Sequence, residues 1–338
     1  MTARIKGGWD IHTHLLPASV IAAAGAGRFG MSRSDTAIAV PGFQVPLSPM
    51  GDPARLLARL DADVLDGTVV SPPPPLFRAD LPPEKRLEYC QLLNDGLLES
   101  VAAAPARLRP MAYLPTDQPA MALRIARSLD TQWAGVIIGT ELSEGSYADP
   151  VHHELWATLA EADLPVLLHP SESRDTRLKP FYLSNLLGNP YETALAAAAL
   201  IFGDVPGTFP NLKVILSHGG SAAVAVAGRW QKGVTSGRSG ISSLKLPPEQ
   251  AISWFHVDSI VHSQKQLAAI VDVVGPDQVL LGSDWPFPMG TQSAEDDLGS
   301  LSSELASAAR IGNPQRVFGS RLNALPGRDA SDTGAKTS

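Results

Sequence analysis

Two imidazoles one residue apart, in Trp9-Asp10-Ile11-His12-Thr13-His14, are the first side chains of this chain that could do chemistry together. The run is apolar and strand-like, and on a strand residues i and i+2 project from one face, so His12 and His14 can reach a single point. Three later strand-like runs also end in a His or an Asp: Pro165 to His169, Lys213 to His218 and Gln278 to Asp284. Imidazole and carboxylate ligands suit Zn²⁺, with Mn²⁺, Fe²⁺ or Co²⁺ compatible, because three or four of them leave a position open for water or substrate. A hydrogen-bonded core group accounts for any one of these residues, but poorly for all five at strand ends.

The elements that must position them follow a regular alternation. Strands are expected near residues 9, 68, 109, 135, 165, 213, 252 and 278, the seventh spanning Ala251 to Val257. Helices are expected at Pro83 to Ala104, Pro119 to Leu129, Pro150 to Ala162, Tyr191 to Phe202, Ser221 to Gln231, Ser263 to Val274 and Ala294 to Ala309. Asp52-Pro53 supplies an N-cap and a first-turn proline for a further helix with an apolar stripe at Leu56, Leu57, Leu60 and Val64. Eight near-continuous apolar strands, each followed by a helix, indicate an α/β chain folded as a (β/α)8 TIM barrel, whose catalytic groups stand at the carboxyl ends of the strands. A doubly wound open sheet would carry a Gly-rich phosphate loop after its first strand, and Trp9 to Pro17 has none. We expect a single barrel over 1–319, with residues 25–51 as an irregular inserted loop and cap after strand 1, a short last helix from Asn313, and a flexible, disordered tail over 320–338.

Composition narrows the partners. Of 338 residues, 44% are hydrophobic and 18% charged, the mixture of a globular protein, and the formal net charge is −7 with no basic cluster, which argues against a nucleic-acid partner. No apolar run reaches the length of a membrane span, and the N-terminus passes into the first strand without a signal-like apolar stretch, so a soluble cytoplasmic enzyme without a membrane partner is expected. The one cysteine, Cys90, sits in a helix-like run and reads as a small core residue.

Longer motifs extend the pattern: Asp10-Ile-His-Thr-His14-Leu-Leu-Pro, Leu168-His169-Pro, Leu187-Gly-Asn-Pro-Tyr-Glu-Thr193, Phe209 to Gly220 ending Ser217-His218-Gly-Gly, Val257-Asp-Ser, and Leu281-Gly-Ser-Asp284-Trp-Pro-Phe-Pro-Met-Gly290. In these the chain resembles the amidohydrolase superfamily, and within it the branch of metal-dependent decarboxylases that includes aminocarboxymuconate-semialdehyde decarboxylase and the resorcylate-type aromatic acid decarboxylases. HxH alone is weak; HxH followed in order by HGG and GSDWPFP is strong. The resemblance implies that His12, His14, His169 and Asp284 bind one divalent metal, usually zinc. It implies that His218 is no ligand but acts on water held there as general acid or base, with Asp284 sharing the catalytic work. No Lys ends the fourth strand, so the carbamylated lysine of binuclear members is missing and a mononuclear site follows; Glu141 nearby reads as a solvated loop residue. Arg229 matches an arginine that reaches the neighbouring subunit's site and holds a substrate carboxylate, which implies a homodimer; a surface helix arginine is the plainer account.

Trp285, Phe43 and Gln44 are the remaining substrate-binding candidates. Two departures stand out. The muconate enzyme has Trp-Asp where this chain has Ser171-Glu172, and it has an arginine after the phenylalanine where this chain has Gln44. Both put the muconate substrate itself in doubt, and a second cation would have to come from Arg33, Arg78 or Arg174. The implied reaction is decarboxylation of a small aromatic or unsaturated carboxylic acid. The alternative is a metal-dependent hydrolase of an amide, imide or lactone, which the same residues can serve.

Overall fold

The structure, a computed structural model, describes residues 5–323 apart from 141, 143, 172 and 174. The expectations placed on Glu141, Glu172 and Arg174 and on most of the C-terminal tail therefore lie outside the described residues. Eight parallel strands form one sheet: β1 (Trp9–His14), β5 (Gly67–Ser71), β6 (Leu108–Tyr113), β7 (Gly135–Gly139), β8 (Val166–His169), β9 (Val214–Leu216), β10 (His256–Asp258) and β11 (Val279–Leu280), each hydrogen-bonded to the next in that order. Every residue of β1, β5, β6, β8, β9 and β11 is buried, as strands covered on both faces must be.

The ring is drawn shut by the chain that follows β11. Ile11 N donates to Leu281 O at 2.8 Å, Asp284 N to His12 O at 2.8 Å and His14 N to Trp285 O at 2.8 Å. The closing seam is thus built from the two segments that carry His12, His14 and Asp284, so the contacts that close the ring also fix these residues. Gly67, at the entrance to β5, shows how tight the wall is: a Cβ there would stand 2.6 Å from both the Trp9 ring and Arg107 O.

Three expectations need correction. The 25–51 insertion is not irregular: β2 (Ser32–Arg33), β3 (Ala37–Val40) and β4 (Phe43–Pro46) make an antiparallel sheet, turned at Pro41-Gly42 with Gly42 at φ 83°. Buried Ile38, Val40 and Val45 pin it to the core, an alternation too short to stand out among Gly and Ser. The seventh barrel strand is only His256–Asp258; Pro247-Pro248 starts a helical turn that runs to Trp254, and an apolar run of that length cannot by itself be told from a strand. The helix expected over 294–309 is broken into Ala294–Leu298 and Ser303–Ser307, followed by a wider turn over Ala308–Gly312. Among the described residues no helix is long and apolar enough to cross a membrane.

Candidate metal centre and active site

His12, His14, His169 and Asp284 converge at the carboxyl rim of the barrel, with one ligand atom from each lying within 4.8 Å of the others. All four are buried. His12 and His14 share a face of β1, His169 is the last residue of β8, and Asp284 stands four residues past the end of β11.

Each imidazole is held through its Nδ1. His12 Nδ1 donates to Asp258 Oδ2 at 2.7 Å, and His169 Nδ1 donates to Pro170 O at 2.6 Å. The Ser71 hydroxyl donates to Thr13 O at 3.3 Å, which leaves its oxygen to accept from His14 Nδ1 at 3.0 Å. With Nδ1 protonated, each Nε2 carries a lone pair toward the centre, the tautomer in which a histidine binds a metal. His12 Nε2 and His14 Nε2 are then only 3.2 Å apart, Asp284 Oδ1 lies 3.0 Å from His14 Nε2 and 3.5 Å from His12 Nε2, and His169 Nε2 lies 4.0 Å from Asp284 Oδ1.

Four lone-pair donors facing one another in a dry site repel unless a cation sits between them. His169 Nε2, buried with no hydrogen-bond partner, would by itself cost about 1–3 kcal/mol if nothing bound it. The spacings bracket the edge of about 3.3 Å expected for a tetrahedron with bonds of about 2.0–2.1 Å. The donor set therefore fits one divalent metal. The fourth barrel strand ends at Gly139-Thr140 with no amine, and among the described residues no second ligand cluster occurs.

The protonation states agree with a ligand role. Burial, with His12, His218 and His14 adding, holds His169 well below the ordinary imidazole value, so it is neutral. Burial likewise lowers His14 despite the Asp284 carboxylate beside it. Burial would raise the Asp284 carboxyl, but the His14, His218 and His12 imidazoles around it outweigh that and hold the group well below the carboxylate range. His12 is the exception: burial is outweighed by the hydrogen bond to Asp258 and the charges of Asp284, Asp258 and Asp10, and its pKa is raised.

His218 approaches from the side, Nε2 lying 3.6 Å from Asp284 Oδ2, and its side chain, at 17% exposure, is more open than those of the three ligand histidines. Its backbone and that of Asp284 are left-handed, at φ 56° and 57°. That conformation is costly for residues other than glycine, so the surrounding contacts must hold both residues in place.

The residue that sequence reasoning left without a role is Asp258. Fully buried, it accepts from His12 Nδ1 and from the backbone N–H groups of His218 at 3.0 Å, Gly219 at 2.7 Å and Ile260 at 3.1 Å. One carboxylate so orients an imidazole of the cluster and holds the left-handed His218-Gly219 turn. The signal was present in Val257-Asp258-Ser259, an acid at the end of the seventh barrel strand, as Asp284 follows the eighth. Asp258→Asn should lower metal affinity about 10–100-fold, read by competition with a chelator, because an amide is a poor acceptor for the imidazole N–H.

Asp10 accepts from Ser283 N and Oγ and from Arg59, tying β1 to the loop that bears Asp284. Burial, with Asp10 and Asp258 adding, pushes nearby Asp297 up to about 8, offset in part by Thr291 and Arg59. A carboxyl raised above its unfolded value of 3.8 favours the folded state at low pH, and that contribution is lost as pH rises through 8. Asp297→Asn should therefore raise Tm by a margin that widens from pH 5 to pH 8.5, reaching about 2–4 °C for each kcal/mol relieved.

The other candidates separate. Phe43 lines a cleft of about 590 Å³ beside the rim, whereas Gln44 is exposed on β4 and does not line it. Trp285 is partly buried and serves through its backbone in the closing seam, while the Phe287 ring meets His14 edge-on at 5.2 Å. Arg33 is exposed and away from the cleft, and Arg78 lines it. Arg229 is exposed on the helix Ser221–Thr235 and makes no ion pair among the described residues.

The amidohydrolase family pattern matches residues 9–320. A 2-amino-3-carboxymuconate-6-semialdehyde decarboxylase of Dictyostelium discoideum is 31% identical over 245 residues, covering 71% of this chain and 68% of that protein. A gamma-resorcylate decarboxylase of Rhizobium radiobacter is 26% identical over 288 residues, 78% of this chain and 85% of its own. Among solved structures, a dihydroxybenzoic acid decarboxylase of Polaromonas, with bound manganese and the inhibitor 2-nitroresorcinol, superposes with a TM-score of 0.76 at 20% identity, over 93% of this chain and 97% of that one.

Proposed function

Because this chain belongs to the amidohydrolase family, we propose that its convergent His/His/His/Asp rim is the active site of a metal-dependent decarboxylase acting on a small aromatic or unsaturated carboxylic acid. The observation that carries this is the intact ligand set with His218 beside it, in a chain whose relatives are decarboxylases. His12, His14, His169 and Asp284 hold the metal. We assign Zn²⁺ from the three-imidazole, one-carboxylate set; the manganese of the Polaromonas enzyme makes Mn²⁺ the other ion to test. When bound, such an ion supplies a fixed positive charge that stabilises negative charge developing on substrate oxygens.

The proton is the task of the chain itself. Decarboxylation breaks the bond between the carboxyl carbon and its neighbour, the electron pair stays on that neighbour, and one proton must arrive there as CO₂ departs. His218 Nε2 delivers it, being the one imidazole nitrogen that both faces the rim and is partly open to the substrate side. Asp284 Oδ2, 3.6 Å away, orients the ring and stabilises it when charged. Asp258 keeps the His218 backbone where Nε2 can reach the carbon.

The enzyme works as a homodimer. Phe181, Tyr182, Leu186, Leu187, Tyr191 and Leu195 are exposed large apolar side chains within one 15-residue stretch, Phe181 at 87%, and the helix Asn189–Phe202 packs against the helix that carries Arg229. A second copy covering that face would bring its Arg229, a bidentate partner for a carboxylate, toward the neighbouring site.

CO₂ release, measured on metal-loaded enzyme against hydroxybenzoates, muconates and lactones, tests the reaction. Stoichiometric CO₂ from an acid is expected; acid production from a lactone or amide without CO₂ would make the enzyme a hydrolase instead.

A further inference from the structure

His218 and Asp284 both stand in the left-handed region, at φ 56° and 57°, and each needs contacts outside itself to stay there. Asp258 holds the His218 turn through backbone N–H groups. At Asp284 the work falls to the residue before it. The Ser283 hydroxyl accepts from Trp285 N at 3.2 Å, so one side chain closes a turn around Asp284, from residue 283 to residue 285. Trp285 is fixed from its other end as well, its carbonyl accepting from His14 N at 2.8 Å.

That hydroxyl is itself clamped. Its hydrogen goes to Asp10 Oδ2 at 2.6 Å, and Asp10 Oδ1 accepts from Ser283 N and from His12 N, both at 3.1 Å. Ser283 and Asp10 are fully buried, so no bulk water competes for these bonds. The counter-charge for Asp10 comes from the helix Pro53–Ala62, where Arg59 donates Nη1 to Asp10 Oδ2 at 2.8 Å and places Nη2 3.3 Å from Asp63 Oδ2. Contacts therefore run from an outer helix through the barrel wall, Arg59 to Asp10 to Ser283 to Trp285, with no step longer than 3.2 Å.

Resting on the metal site proposed above, we propose that Ser283 is a positioning residue for Asp284: its hydroxyl, clamped by Asp10 and Arg59, holds the left-handed turn that aims the Asp284 carboxylate at the ion shared with His12, His14 and His169. An alanine at 283 would leave Trp285 N and Asp10 Oδ2 each short of one partner in a dry wall. Asp284 would then be released from a conformation that residues other than glycine keep only when their surroundings hold them.

Cobalt(II) titration of metal-free protein, read by competition with a chelator and by the visible absorption of the bound ion, tests this without turnover. We expect Ser283→Ala to raise the cobalt Kd about 10–100-fold, the range lost with outer contacts to metal ligands, and to change the absorption band, which reports the geometry of the ligand set. Arg59→Met, on a side chain at 10% exposure, should move both readouts the same way, while Arg59→Lys keeps the charge and should stay near wild type. A Ser283→Ala protein that melts lower yet binds cobalt with the wild-type Kd and spectrum would overturn the assignment, as would an Arg59→Met protein identical to wild type in both. A crystal structure of metal-free Ser283→Ala separates this inference from the metal reading. Asp284 is expected to leave φ 57° or to lose the 3.0 Å approach of its Oδ1 to His14 Nε2, and an unmoved Asp284 would refute the positioning role. Wild-type protein that takes up no cobalt would refute the metal site, and that structure would still decide the role of Ser283.

Discussion

His169→Ala loses the metal and the activity together. Removing one of four ligands takes away a donor whose Nε2 has no other partner, so nothing in the wall can replace it. Orienting groups alone are worth about 10–100-fold in metal affinity, and a direct ligand should exceed that, with Kd rising by more than about 100-fold. Metal content after gel filtration should fall from one per chain to a small fraction, and CO₂ release should fall with it. The metal-free variant should melt within a few degrees of metal-free wild type, since the lost imidazole is neutral and makes one hydrogen bond, to Pro170 O. A variant that retained a full equivalent of tightly held metal would show that His169 is not a ligand.

His218→Asn separates the two roles. The metal should stay, because the Asp258 and Asp284 contacts to His12 and His14 do not pass through the 218 side chain. Turnover should fall about 10²–10⁴-fold, the usual share of a positioned acid or base. Asparagine suits the test because it adopts the left-handed backbone of position 218 more readily than most residues, and the backbone N–H to Asp258 survives any non-proline substitution. Full metal occupancy with undiminished kcat would return the proton to Asp284; an empty site would make His218 a ligand. Together with the alanine variant at 169, this pair distinguishes binding the ion from moving the proton, which activity measurements on either variant alone would confound.

Much of this was legible before any coordinates. Strand periodicity puts His12 and His14 on one face whatever surrounds them, and apolar runs broken by turn residues at eight places leave few alternatives to a parallel barrel. The rule that catalytic groups stand at carboxyl strand ends then brings His169, His218 and Asp284 to the same rim. Local rules failed where two structures compete for the same residues. The stretch after Pro248 is apolar enough for a strand, yet a proline at its start favours a helical turn, and only the pairing of His256–Asp258 with β9 and β11 decides it. The sheet at 32–46 escaped because its strands are two to four residues long and are stabilised by burial of Ile38, Val40 and Val45 rather than by propensity.

From the order of residues alone came the ligand types, the spacing that aligns the first two, and the fold that gathers the rest, since these depend on periods of two and on repeated alternation, which are local. What tertiary structure decided was everything that depends on separation across the barrel. Asp258 reaches His12 and the His218 backbone from 246 and 40 residues away. Arg78 is tied to Asp80 across a two-residue step, and Arg86 to Asp117 from 31 residues away. Pairing of charges depends on distances that no sequence interval encodes, so which carboxylate orients which imidazole is known only once the strands of the barrel have come together.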